Sequence, residues 1–68
     1  MLTVLRIGDK VREIRKRNFL TQEELADRAE IGVNTIIRIE RNQVEPQGRT
    51  IRKLADALGV APSELLEN

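Results

Sequence analysis

Apolar positions return every three or four residues through most of this chain, the spacing of a single buried helical face. Ile7, Val11 and Ile14 stand at i, i+4 and i+7 and predict a first helix from about Gly8 to Asn18. The next start is the best marked. Thr21 suits an N-cap, Glu24 follows three residues later to complete a capping box, and Leu20 and Leu25 occupy the two positions of a hydrophobic staple. A second helix therefore runs from Gln22 to about Ala29.

Two turns make a helix too short to stand alone. Beyond it, Gly32 is an acceptable N-cap, whereas in a helix interior Gly is worse than Ala by roughly 1 kcal/mol. The chain is thus predicted to turn at Glu30, Ile31 and Gly32, with Ile31 plugging the corner. A third helix, Val33 to about Arg41, buries Ile36 and Ile39 and leaves Val33, Asn34, Ile37, Arg38 and Arg41 on its other face. Glu45 and Pro46 break the pattern. A fourth helix runs from about Gln47 to Leu58, with Ile51, Leu54, Ala55 and Leu58 apolar and Gly59 placed to end it. Pro62 fits the first turn of a fifth, which carries Leu65 and Leu66. Only Leu2, Val4 and Leu5 suggest an extended segment. The prediction is an all-α, compact five-helix bundle, one domain over residues 1–68.

Composition narrows the function. At 68 residues a single core contributes only a few kcal/mol of net stability, so the helices must pack economically or the chain must dimerise. Cysteine and histidine are absent. That removes disulfides, thiolate metal sites, the usual general base and the commonest metal ligand. The carboxylates are scattered singly. The chain therefore reads as no enzyme, with no metal, no cofactor and no evident small-molecule ligand. No apolar run approaches the ~18–20 residues that span a bilayer, and the opening "MLTVLRIG" does not have the charge order of a signal peptide. The reading is cytoplasmic.

The net charge of +1 hides a pattern. Residues 6–17 carry +4, residues 18–30 carry −3, residues 31–53 carry +3 and residues 54–68 carry −3. Folding could gather the basic blocks on one face to suit a polyanion. The same charges would equally serve as an ordinary solvated surface.

Two short helices joined by a tight turn, the second with a polar outer face, form a helix-turn-helix. The stretches "IGDKVREIRKRNFLTQEELADRA", "TIIRIER" and "EPQGRTIRKLADALGVAPSELL" resemble the Cro/XRE family of phage-repressor folds, over nearly the whole chain from Ile7 to Leu66. The resemblance implies that helix three lies in the major groove of double-stranded DNA, with Val33, Asn34, Ile37 and Arg38 reading base edges. It implies phosphate contacts from Gln22 and from Arg41, Asn42 and Gln43. It also pairs Arg15 with Glu40, so a structural ion pair is favoured there over a DNA contact.

Side-chain chemistry suits these roles. Arg pairs with guanine and Asn with adenine, each good pair discriminating by about 1–3 kcal/mol. Val33 and Ile37 offer only apolar contact, as to a thymine methyl, though Ile37 equally suits packing against a partner subunit or a local side chain. Gln47 and Gly48, opening helix four, could admit a phosphate, or Gly48 could simply be a poor helix residue. Three positions depart from the family: Glu30 stands where it usually has Gly, Gly32 where it has Ser or Thr, and Ala61 where it has a hydroxyl. The first should strain the backbone and the other two weaken caps.

The functional expectation is a dimeric, sequence-specific transcriptional regulator, a repressor. Leu2, Val4, Leu5 and Leu66 are candidates for the dimer contact or for covering the protomer's own core. An antitoxin or a restriction–modification controller belongs to the same class. A helical protein–protein adaptor is the competing class, and it would favour an aromatic hot spot on helix three. The chain's one aromatic, Phe19, falls instead at the corner of helices one and two.

Overall fold

A computed structural model describes residues 6–66. The expected extended segment at Leu2, Val4 and Leu5 lies outside them. Five helices follow in order: α1 (Ile7–Arg17), α2 (Gln22–Ala29), α3 (Val33–Glu40), α4 (Gly48–Leu58) and α5 (Pro62–Leu65). The architecture among the described residues is all-helical, and the helix bounds fall within one residue of the expected ones wherever both ends were predicted.

The capping box forms in full. The Thr21 hydroxyl accepts from the Glu24 N–H at 3.0 Å, and the Glu24 carboxylate accepts from the Thr21 N–H at 2.8 Å. Leu20 and Leu25 are both buried beside it. The core gathers Val11 and Ile14 of α1, Leu25, Ala26 and Ala29 of α2, Ile36 and Ile39 of α3, Leu54, Ala55 and Leu58 of α4, and Leu65 of α5. Ile31 packs against this core from the α2–α3 corner. Leu66 falls just past the end of α5 and is exposed, so it does not cover the protomer's own core. At α5 the missing hydroxyl of Ala61 leaves half a box: Glu64 still accepts from the Ala61 N–H at 2.9 Å.

The first four helices end alike. In each, an N–H one or two residues past the cap reaches back to a carbonyl five residues earlier: Leu20 to Arg15, Ile31 to Ala26, Gln43 to Arg38 and Val60 to Ala55. The residue before that donor is left-handed, as this closure requires. Those residues are Phe19 (φ 58°), Glu30 (φ 57°), Asn42 (φ 58°) and Gly59 (φ 71°). Three of the four are not glycine, and a left-handed backbone costs such residues roughly 1–2 kcal/mol each. Glu30 adopts the positive φ expected of the turn.

Glycine is indispensable elsewhere for a different reason. A Cβ at Gly8 would overlap the Ile39 carbonyl oxygen. The start of α1 and the end of α3 therefore meet backbone to backbone, which no local periodicity announces.

Candidate nucleic-acid interface

The second half of the helix-turn-helix, α3, begins at Gly32, whose extended backbone (φ −63°, ψ 142°) caps the helix without a side-chain bond. Its buried stripe is Ile36, Ile39 and Glu40. On the opposite side Asn34, Arg38 and Arg41 follow at i, i+4 and i+7 and are all exposed. Val33 and Ile37 flank that stripe and are half-buried, Val33 packing against the core. Among the described residues the side chains of Asn34 and Arg38 have no hydrogen-bond or ion-pair partner within the chain. The face is polar, its donors are available, and its apolar edge is small.

Arg15 lies under the other end of α3 and is 9% exposed, with Glu40 at 5%. The guanidinium meets the carboxylate side on: Nε donates to Glu40 Oε2 at 2.6 Å and Nη2 to Oε1 at 3.0 Å. Nη1 donates to the Leu20 carbonyl at 2.8 Å, so one side chain ties α1 to the turn before α2 and to the end of α3. A bidentate, fully bonded geometry is what a buried charge pair needs to offset its desolvation.

Gln22 joins this cluster. Its Nε2 donates to Glu40 Oε1 at 3.1 Å. The side chain assigned by resemblance to a phosphate is thus held from inside, while the Gln22 and Glu23 N–H groups in the first turn of α2 have no partner within the helix. A shallow cleft opens here, lined by Arg12, Arg15, Lys16, Gln22, Glu40 and Arg41. Arg15 and Glu40 neutralise each other, which leaves Arg12, Lys16 and Arg41 as a surplus of positive charge beside a helix N-terminus. Such a place favours an anion.

Arg12 and Lys16 were not singled out from sequence. The signal existed: both sit within one turn of Arg15 on α1, so fixing Arg15 against Glu40 also fixes them. The loop after α3 divides in its roles. Arg41 lines the cleft. Gln43 is exposed. Asn42, itself exposed, turns toward α1, its Oδ1 accepting from the Gly8 N–H at 3.1 Å and its Nδ2 donating to Asp9 Oδ1 at 2.9 Å. At the start of α4, a Cβ on Gly48 would meet open space, so packing does not demand glycine there. Phe19, at the α1–α2 corner, is 93% exposed.

Thr21, through its backbone N–H first and its hydroxyl second, holds the Glu24 carboxyl below its ordinary range, with Arg28 adding a smaller pull. Among the described residues no cluster of acidic side chains could hold a metal ion. No described helix is long and apolar enough to cross a membrane.

Residues 11–65 match the helix-turn-helix family. The chain belongs to that family, in its Cro/C1 type. It is 36% identical over 61 residues to the cryptic phage CTXphi transcriptional repressor RstR of Vibrio cholerae, a match covering 90% of this chain and 55% of that protein. Its fold is similar to the restriction-modification controller protein C.AhdI from Aeromonas hydrophila, with a TM-score of 0.86 at 34% identity over 90% of this chain and 92% of that one. It is likewise similar to the P22 c2 repressor in complex with a synthetic operator, with a TM-score of 0.84 at 31% identity over 96% and 97% of the two chains. The chain spans about half the length of the first curated relatives it matches, 42% and 55%.

Proposed function

We propose that this chain is a sequence-specific, double-stranded-DNA-binding transcriptional regulator that acts as a repressor and places α3 in the major groove. One observation carries the reading: the outward stripe of α3 presents Asn34 and Arg38 with free donors, directly beside a cleft whose surplus charge is positive. Val33, Asn34, Ile37 and Arg38 read base edges. Gln22, Arg41 and Gln43 track phosphates, joined by Arg12 and Lys16. Phosphate contacts set register and orientation, and base contacts select the sequence. The likeness to a repressor held on a synthetic operator supports this placement.

The active form is a homodimer, each protomer in one half-site, the half-sites separated by about 34 Å or one turn of DNA. Leu66 is available to its contact. The work is binding rather than catalysis, in the cytoplasm. The likeness to C.AhdI favours a second reading inside the same class, a controller of a restriction–modification operon. An adaptor is less well supported, because the exposed aromatic sits at the α1–α2 corner and not on α3.

Selection of bound duplexes from a random DNA pool, followed by titration at several salt concentrations, tests the proposal. If ~6–10 phosphates are contacted, affinity falls about 10³–10⁵-fold between 50 and 200 mM salt. Affinity that ignores salt, or failure to enrich any sequence, overturns it.

A further inference from the structure

Asn42 occupies the left-handed position that ends α3, and its side chain does not face the cleft. It reaches the start of α1 instead. The cap residue there, Arg6, has no side-chain acceptor to offer the first-turn N–H groups, so the Gly8 N–H lacks a cap bond from it. Asn42 supplies one from 34 residues away: Oδ1 accepts from Gly8 N at 3.1 Å. Its Nδ2 donates to Asp9 Oδ1 at 2.9 Å, and Asp9 Oδ2 accepts from Arg6 Nε at 2.8 Å. Among the described residues these two bonds are the only side-chain hydrogen bonds between the loop at 41–47 and α1. They sit beside the point where Gly8 lets the Ile39 carbonyl of α3 approach the start of α1.

The neighbour of Asn42 is Arg41, which lines the basic cleft with Arg12 and Lys16 of α1. The Arg41 side chain has no internal partner among the described residues. Arg41 is itself tied to α3 by its N–H, which the Ile37 carbonyl accepts at 3.1 Å, so its distance from the α1 cations depends on how the end of α3 is held against α1.

We infer that Asn42 is a positioning residue: its amide clamps the loop after α3 to the start of α1 and so holds Arg41 in register with Arg12 and Lys16, Arg41 taking one phosphate and the α1 cations its neighbours. The inference rests on the DNA-binding reading above. It changes the role of Asn42 from phosphate ligand to support for one.

The clamp makes an unusual prediction for a neutral side chain. Glycine accepts the φ of 58° without strain, so Asn42→Gly removes the amide and leaves the turn. Without the clamp Arg41 no longer holds its phosphate, and the slope of log affinity against log salt becomes shallower by about 0.9 per protomer bound. Arg41→Ala should give the same change, and Asn42→Gly should add little to it. A neutral residue that only stabilises the fold, or touches a phosphate itself, releases no counterion and leaves the slope alone. Asp9→Ala removes the Nδ2 arm of the clamp and leaves the bond to the Gly8 N–H. Loss of an acidic group by itself favours DNA, so weaker binding by that variant supports the clamp and stronger binding overturns the two-armed form of it, even where the glycine variant does not fold. With a parent that binds in a salt-dependent way, an unchanged slope for Asn42→Gly overturns the positioning role alone. A parent with no salt-dependent affinity overturns the DNA reading and this inference with it.

Discussion

Arg15 and Arg38 carry the same guanidinium into opposite surroundings. Arg15 is buried at the junction of α1 and α3, and its donors are spent on Glu40 and the Leu20 carbonyl. Arg38 stands on the outer stripe of α3 and spends none of its donors within the described chain. The difference comes from helical phase. Arg15 follows Ile14 on the inward side of α1, whereas Arg38 lies between Ile36 and Ile39 in sequence but on the opposite side of the helix. A buried guanidinium must be paired, so Arg15 becomes part of the fold. An exposed one with no internal partner adds little to stability and keeps its hydrogen-bonding capacity for something else.

The comparison predicts that the two arginines separate stability from binding. Arg15→Ala leaves the Glu40 carboxylate buried without its partner, and the expected loss is about 3–5 kcal/mol in a denaturant melt. Glu40→Ala should cost a similar amount, and the double variant less than the sum of the two. Additive losses would show that burial alone, not the pair, accounts for Arg15. Arg38→Ala sharpens the contrast from the other side. Its stability should change by less than about 0.5 kcal/mol, while affinity for the selected duplex falls by about 1–3 kcal/mol. Asn34→Ala should behave the same way at a neighbouring base pair.

A third variant moves stability in the favourable direction. Glu30 holds a φ of 57° without the short side chain that helps Asn or Asp in that region. Glu30→Gly should raise stability by about 0.5–1 kcal/mol, the relief of strain being partly offset by the greater freedom of Gly in the unfolded chain. DNA affinity should not follow, because residue 30 lies outside the proposed contacts. Glu30→Ala keeps the Cβ and should bring no such gain; an equal gain from Ala would remove backbone strain as the explanation.

The smallest effect concerns a carboxylate exposed where Glu40 is buried. The folded-state pKa of Glu24 is lowered by its bonds to Thr21. Such a group stabilises the fold above its unfolded pKa, and that contribution disappears as pH falls through the folded one. Melts of the parent and Glu24→Gln should differ most near neutral pH and converge in acid. A gap that widens on acidification would contradict the cap as its source.

Much of this fold is local information. Thr21 and Glu24 mark the start of α2 because capping chemistry acts over three residues. The apolar spacing in α1, α3 and α4 names most of the core for the same reason. The left-handed Glu30 was anticipated because a family resemblance placed a glycine there. Phe19 and Asn42 take the same conformation without such a hint. Phe has no preference for it and Asn only a mild one, and in each case the turn is imposed by the backbone bonds that close the helix. The apposition at Gly8 and the turn of the Asn42 amide toward α1 were hidden because they join residues more than thirty positions apart. The outward stripe of α3 was legible from phase alone. The cleft was not, because it needs α1, α2 and α3 in place together.

The central claim is that the outer face of α3 reads sequence in duplex DNA. Selection from one random pool, run in parallel with the parent and with Arg38→Ala, addresses it directly. The account predicts a preferred sequence for the parent and a preference relaxed at one or two base pairs for the variant. An identical preference for both proteins, or no preference for the parent, would contradict it.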